Sequence, residues 1–410
     1  MTNSGKPALG VGMIGYAFMG RAHSQAWRNA RSYFDVPAVP RLAAVAGRNE
    51  AAARDTADRF GWESVETDWR RLLERDDIDI IDICTPGDTH AEIAVAALEA
   101  GKHVLCEKPL ANSVEEAERM VQAAQAAAAL GVRSMVGFTY RRVPAISYAR
   151  RLVEEGRLGR IVHVRGAYLQ DWLVDPESPL TWRLQKERAG SGALGDIGAH
   201  IIDLAQFVTG EQLTGVSALT ETFVRERPVS DPSLVGTSGI SGTSAGNGSA
   251  TRGAVTVDDA AVLVSRMSGG ALATFEATRF ATGRKNSIRL EINGTRGSLA
   301  FDFEDMNVLN VHDATVDARD AGFTRVLVTE ATHPYVAGWW PPGHVLGYEH
   351  AFTHQAVDLV TAIAEGTDPR PSFSDGFQVQ RILSAVETSA EREGSWTPIG
   401  GARVPSPSLS

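Results

Sequence analysis

Two short stretches carry side chains suited to moving a proton and a hydride. One is Glu107-Lys108-Pro109, which ends the apolar run His103-Val104-Leu105-Cys106. The other is Asp196-Ile197-Gly198-Ala199-His200, which opens an apolar helix. A lysine at a strand exit stands where open α/β sheets bind ligands, and the proline after it biases its backbone towards the extended region. Asp196 and His200, four residues apart, are expected to share a helix face. Lys108 would stabilise a developing alkoxide, His200 would accept the hydroxyl proton, and Asp196 would orient the substrate or the imidazole. An alcohol losing hydride on its way to a ketone needs such a set.

A hydride needs an acceptor, and the N-terminus offers a place to hold one. Val11-Gly12-Met13-Ile14 reads as a buried strand entering the turn Gly15-Tyr16-Ala17-Phe18-Met19-Gly20, with a helix behind it. Strand, glycine turn and helix start form a pyrophosphate cradle, so Gly15, Ala17, Phe18, Met19 and Gly20 are expected cofactor contacts. Ala17 stands where the middle glycine of the usual pattern would be. Later strand exits add Gly47 and Arg48, then Thr85 and Pro86, His90, Glu107 and Lys108 as further expected cofactor contacts. An NAD enzyme usually places Asp or Glu at the second strand exit, and an arginine can instead accept a 2′-phosphate. Here the acid is missing and Arg48 is present, so the cofactor is NAD(P) with a lean to NADP.

Each residue also has a plainer reading. Lys108 could be an ordinary surface lysine, and Asp196 could complement the helix dipole. Asp196, His200 and Asp203 nevertheless form a polar stripe among Ile197, Ile201, Ile202, Leu204, Phe207 and Val208, as a cleft wall would, with Asp203 read as structural. His350 and His354 stand at helical spacing near His333 and His344, but no carboxylate or cysteine completes a metal-ligand pattern. No metal is assigned, and packing or substrate lining is favoured. The bulky stretch Trp339-Trp340-Pro341-Pro342-Gly343-His344 fits a sugar-cleft wall or a subunit contact equally well.

The elements that must position these residues fall into two patterns. Through the first third, apolar strands alternate with helical stretches, which specifies a parallel sheet covered on both faces. Ser113 or Asn112 caps the helix that follows the lysine motif. From about Gly159, alternating strands such as Ile161–Leu169 and Ala260–Met267 are joined by glycine turns, as in hairpins. The fold class is therefore α/β: a dinucleotide-binding domain over 1–138 and an α+β domain over 139–410 with a large, mostly antiparallel sheet. The second domain is assigned substrate binding and oligomerisation. Its stretch 230–253, dense in Gly, Ser and Thr, reads as a flexible insertion, and 401–410 as a disordered tail.

With 40 basic and 50 acidic residues among 410, the formal charge of −10 disfavours a nucleic-acid partner. A hydrophobic content of 43% without a membrane-length apolar run excludes a membrane-spanning protein. The polar N-terminus lacks a signal-peptide h-region, and the two cysteines, Cys84 and Cys106, read as buried free thiols in a reducing cytoplasm.

Phe18-Met19-Gly20-Arg21-Ala22-His23-Ser24, Tyr140-Arg141-Arg142, Tyr168-Leu169-Gln170-Asp171-Trp172 and Gly190-Ser191-Gly192-Ala193-Leu194-Gly195-Asp196 join the lysine motif in a recognisable order. Over essentially its whole length the chain resembles the glucose–fructose oxidoreductase / inositol dehydrogenase / MocA (Gfo/Idh/MocA) family, particularly sugar dehydrogenases of the levoglucosan dehydrogenase type. The resemblance implies that Lys108, Asp196 and His200 are the catalytic lysine, aspartate and histidine. It also implies that Tyr140, Gln170 and Trp172 line a sugar pocket with them. The expected activity is oxidation of a ring secondary hydroxyl of a sugar, anhydrosugar or inositol, by a homodimer or homotetramer. The rivals are a redox-cycling enzyme that cleaves glycosides without net cofactor change and a non-catalytic dinucleotide-binding regulator.

Overall fold

The computed structural model describes residues 5–229 and 251–400. The expected insertion lies almost wholly, and the expected tail wholly, outside the described residues. Among the described residues the chain forms two units, one of 5–139 and 347–378, the other of 140–229, 251–346 and 379–400. No helix is long and apolar enough to cross a membrane among the described residues.

The first unit holds six parallel strands: β1 (Ala8–Ile14), β2 (Val39–Ala46), β3 (Val65–Glu66), β4 (Ile80–Ile83), β5 (His103–Cys106) and β6 (Ser134–Val136). Their order across the sheet is β3-β2-β1-β4-β5-β6. Every residue of β4 is buried, as a strand covered on both faces requires. Helices Phe18–Tyr33, Glu50–Phe60, His90–Glu99 and Val114–Ala128 alternate with the strands. Local chemistry sets their ends. The Asn49 side chain accepts the Ala52 N–H at 3.1 Å to start the second helix, and Gly61, at φ 79°, stops it. Ser113 accepts the Glu116 N–H at 3.1 Å while Glu116 reaches back to the Asn112 N–H at 3.2 Å, a reciprocal cap. Strand order reverses between β1 and β4, and ligands of such sheets bind outside the strand ends at that reversal.

Residues 347–378 had been assigned to the second domain, yet they belong to this unit. The helix His350–Glu365 explains the difference. It buries Phe352, Ala356, Leu359 and Val360 in one core with Met13, Ala26, Trp27 and Ala30, so its apolar face finds cover far from its sequence neighbours.

The second unit is built on β7 (Ile161–Leu169), β8 (Leu213–Glu221), β11 (Ala260–Met267), β12 (Leu272–Thr278), β13 (Ser287–Gly294), β14 (Gly297–Asp302), β15 (Val308–Asp313), β16 (Phe323–Leu327) and β17 (Thr397–Pro398). A separate ribbon pairs β9 (Glu226–Pro228) with β10 (Arg252–Ala254). The nine-stranded order is β16-β15-β14-β13-β7-β12-β11-β8-β17, antiparallel throughout except where β12 meets β7. Burial alternates along β11 and β12, the mark of a sheet covered on one face. The helix Ala199–Thr209 covers β7 closely, because a Cβ on Gly166 would come within 2.6 Å of the Ile201 side chain. On the other face Val262, Val264 and Leu272 are about half exposed.

Candidate functional site

At the reversal of strand order the glycines are structural necessities. Gly15 has φ 101°, and a Cβ there would lie 2.7 Å from the Cys84 carbonyl oxygen. A Cβ on Gly20 would lie 2.3 Å from the Gly15 carbonyl oxygen, so the helix start packs directly on the turn. The helix Phe18–Tyr33 has no side-chain cap at Ala17 and no acidic residue in its first turn. Its positive end is thus left to an anion, and the residues present fit a dinucleotide's pyrophosphate. Gly47 follows β2, with the Tyr16 ring only 1.9 Å from where its Cβ would stand, and Arg48 beside it is exposed.

Lys108, half-buried, follows β5 as expected, and its backbone N–H reaches the Glu107 carboxylate at 3.2 Å. Glu107 and His90, expected as cofactor contacts, are hydrogen-bonded within the protein. Each ring nitrogen of buried His90 lies 2.9 Å from a carbonyl oxygen, of Thr85 and of Pro109, tying the β4 exit to the lysine turn. Glu107 faces His23, a residue given no role from sequence. His23 Nε2 lies 3.0 Å from Glu107 Oε1, and His23 Nδ1 lies 2.9 Å from Asp82 Oδ1. The Trp27 indole N–H donates to Asp82 Oδ2 at 2.7 Å. A Cβ on Gly137 would approach Glu107 Oε1 to 2.7 Å, so glycine there makes room for the carboxylate. Burial pushes the Cys84 thiol up to about 12, and Cys106 upward as well, so neither is a nucleophile.

In the second unit the helix carrying Asp196 and His200 opens with a π-turn over Leu194–Gly198. The regular four-residue face expected for this pair therefore does not hold there, and such turns often mark functional sites. Asp258 anchors the turn by accepting the N–H groups of Gly192 at 2.7 Å and Leu194 at 2.8 Å. Burial raises the Asp258 pKa, and Arg279 opposes that rise. Arg279 is fully buried, places Nη1 3.7 Å from Asp196 Oδ2, donates to the Asp258 carbonyl at 2.9 Å, and lies 5.6 Å from the Trp172 ring centre. Burial likewise lowers the Arg183 pKa, with Asp196 opposing it. Asp196 thus sits beside the guanidinium groups of Arg279 and Arg183.

His200 is 9% exposed, with its ring centre 4.7 Å from that of Tyr140 and 6.0 Å from that of Tyr168. The two phenol oxygens are 2.9 Å apart, Tyr168 donates to Asn286 Oδ1 at 2.6 Å, and Phe303 packs on Tyr140. Gln170 donates to the same Asn286 oxygen at 2.8 Å and accepts the Trp172 indole N–H at 2.9 Å. Tyr140, Gln170, Trp172 and His200 therefore belong to one hydrogen-bonded and aromatic cluster. Asn286, Phe303, Asp258 and Arg279 are members that sequence reasoning missed. Asp203 lies apart from it: its carboxylate accepts Arg141 Nε at 2.8 Å and Nη2 at 2.5 Å, a buried bidentate pair. His354 is buried with its ring edge-on to Phe34 in the first unit, whereas His333 packs on Tyr148 in the second.

Comparison with known proteins identifies the family and the fold. The family profile described as an oxidoreductase family with an NAD-binding Rossmann fold matches residues 9–138, and that of the GFO/IDH/MocA C-terminal domain matches 146–300. The levoglucosan dehydrogenase of Pseudarthrobacter phenanthrenivorans is 44% identical over 393 residues, covering 95% of this chain and 98% of that protein. An oxidoreductase domain protein from Kribbella flavida superposes with a TM-score of 0.90 at 64% identity, covering 96% of this chain and 99% of that one. A levoglucosan dehydrogenase in complex with NADH and levoglucosan superposes with a TM-score of 0.88 at 43% identity, covering 96% and 100%.

Proposed function

The chain belongs to the Gfo/Idh/MocA family of NAD-binding oxidoreductases, and on that premise we propose that it is an NAD-dependent dehydrogenase oxidising a ring secondary hydroxyl of a sugar or anhydrosugar. The observation that carries this reading is the His200 cluster: an imidazole held between two phenols, beside a fixed amide and a half-buried indole. Aromatic faces and oriented amides suit a polyol ring, and a neutral imidazole suits its hydroxyl proton. NAD, when bound, accepts the hydride. His200 takes the proton, Lys108 stabilises the oxygen that loses it, and Asp196 orients a neighbouring hydroxyl. The enzyme is read as cytoplasmic, where its two free cysteines stay reduced.

Incubation with NAD and a panel of anhydrosugars, aldoses and inositols tests the reading, levoglucosan being the first choice because a relative's complex contains it. Reduced nicotinamide should accumulate in step with ketone. Product without reduced nicotinamide would instead indicate the redox-cycling glycosidase, and binding with no turnover a regulator.

Cofactor choice turns on Arg48. Its exposure at the β2 exit leaves it able to meet a 2′-phosphate, so Arg48→Ala should raise KM for NADP more than for NAD. Equal effects on both would mean that Arg48 does not read the phosphate. Introducing an acid at Gly47 is a poor converse test, because the Tyr16 ring occupies the space its side chain needs.

The open face of the nine-stranded sheet is assigned to self-association. Val262, Val264 and Leu272 are exposed there, flanked by the ion pairs Arg165–Glu291 at 2.8 Å and Arg289–Asp302 at 3.0 Å. Exposed apolar patches rimmed by charge are typical of interfaces. Light scattering at micromolar concentration should report a dimer or tetramer, and Val264→Glu should lower that mass. A monomeric wild type would contradict the assignment.

A further inference from the structure

We propose that His23 is a positioning residue for Lys108, acting as a clamp on the carboxylate that holds the lysine turn. This rests on the reading of Lys108 as the group that stabilises the reacting oxygen. His23 is 1% exposed, Asp82 0% and Glu107 4%, so water screens none of them. Each imidazole nitrogen faces a carboxylate oxygen, Nδ1 that of Asp82 at 2.9 Å and Nε2 that of Glu107 at 3.0 Å. An ionised carboxylate only accepts, so both nitrogens donate and the ring is an imidazolium. The second Glu107 oxygen accepts the Lys108 backbone N–H at 3.2 Å. The chain of contacts therefore runs from His23 through one carboxylate to the backbone of the lysine. Gly137, by lacking a Cβ, leaves room for the Glu107 oxygen that faces His23.

The groups facing the imidazole come from every neighbouring element. The end of β4 supplies Asp82 and Cys84, the end of β5 supplies Glu107, and the helix His350–Glu365 lays Phe352 against the ring at 5.5 Å between centres. Burial by itself would push the imidazole pKa down. Asp82 outweighs burial and holds it well above 6.5. His23, Asp82 and Cys84 also place potential metal-ligating atoms within 4.8 Å of one another. Here they are hydrogen-bonded among themselves and to Trp27, which accounts for their grouping without an ion. Two carboxylates sharing one buried cation is costly unless geometry is fixed, and the fixed geometry is what the lysine turn uses.

Three measurements on the full chain test the clamp. Nitrogen-15 NMR of histidine-labelled protein should show both His23 ring nitrogens protonated well beyond the ordinary histidine range around pH 6.5; titration within that range would overturn the proposal. His23→Gln should lower kcat ~10-fold or more, the scale of a displaced catalytic group, with NADH affinity by fluorescence unchanged. In a Lys108→Ala background the same substitution should cost nothing further, because a residue acting through Lys108 has nothing left to position. An equal loss in both backgrounds would make His23 merely structural. Near-normal turnover of Lys108→Ala alone would instead strike the reading of Lys108, leaving the NMR result to stand by itself. If His23→Gln fails to fold, Glu107→Gln takes its place in the same cycle.

Linkage adds a stability readout. The native pKa is raised, so the stability His23 contributes is complete below roughly pH 6.5, the unfolded value, and is lost as pH rises towards the native value. Wild-type stability should decline over that alkaline interval and His23→Gln should show a flatter profile. The same slope in both proteins would contradict a charged clamp.

Discussion

Replacing His200 with alanine is expected to slow alcohol oxidation by ~10²–10⁴-fold and to abolish the acidic limb of the pH–rate profile. The physical basis is simple: an imidazolium cannot accept the hydroxyl proton, so activity should fall once acid protonates the base. His200 is 9% exposed and packed against two phenols, which fixes its ring. Asp196→Asn should keep the limb but shift it, because the variant alters the local field and leaves the imidazole in place. If the alanine variant retained the same limb at a lower rate, the limb would belong to another group, and Lys108 would become the candidate base.

Lys108→Ala carries the second large effect, a loss of ~10²–10³-fold in turnover, the usual cost of removing one donor that stabilises a developing oxyanion. Affinity for NAD should change little, since the pyrophosphate is assigned to the turn Gly15–Gly20 and its helix rather than to this side chain. Comparing KM for NAD with kcat for sugar oxidation separates the two roles. Near-normal turnover would remove Lys108 from the chemistry, and a large rise in KM for NAD would make it a cofactor residue.

Local signals in the sequence were good guides to local structure. Periodicity placed His103–Cys106, Ile161–Leu169 and Ala260–Met267 within the bounds the structure shows, because each buries one face or both in a regular repeat. Ser113 and Gly61 act at helix ends for reasons a single residue carries. Long-range partners were harder to see. His23 meets Glu107 across 84 residues, and Tyr168 meets Asn286 across 118, and no periodicity encodes such pairings. One clue was available: Asp82 interrupts the apolar strand Ile80-Ile81-Asp82-Ile83, and a carboxylate buried in a parallel strand demands a partner of opposite charge. His23, on the buried side of the first helix with Gly20, Ser24 and Trp27, was that partner. The π-turn at Leu194–Gly198 was not legible because a residue that anchors its start, Asp258, lies more than fifty residues downstream. The helix His350–Glu365 was assigned to the wrong unit for the same reason, its cover being the first helix of the chain.

The central claim is that hydride leaves a ring carbon of the sugar and stays on the nicotinamide. It is tested most directly by supplying levoglucosan deuterated at its ring carbons together with NAD, and weighing the reduced cofactor by mass spectrometry. The account predicts one deuterium on the nicotinamide ring for each molecule of ketone formed, with a slower turnover than the protiated sugar gives. Ketone or cleavage product appearing without deuterated reduced cofactor would contradict it.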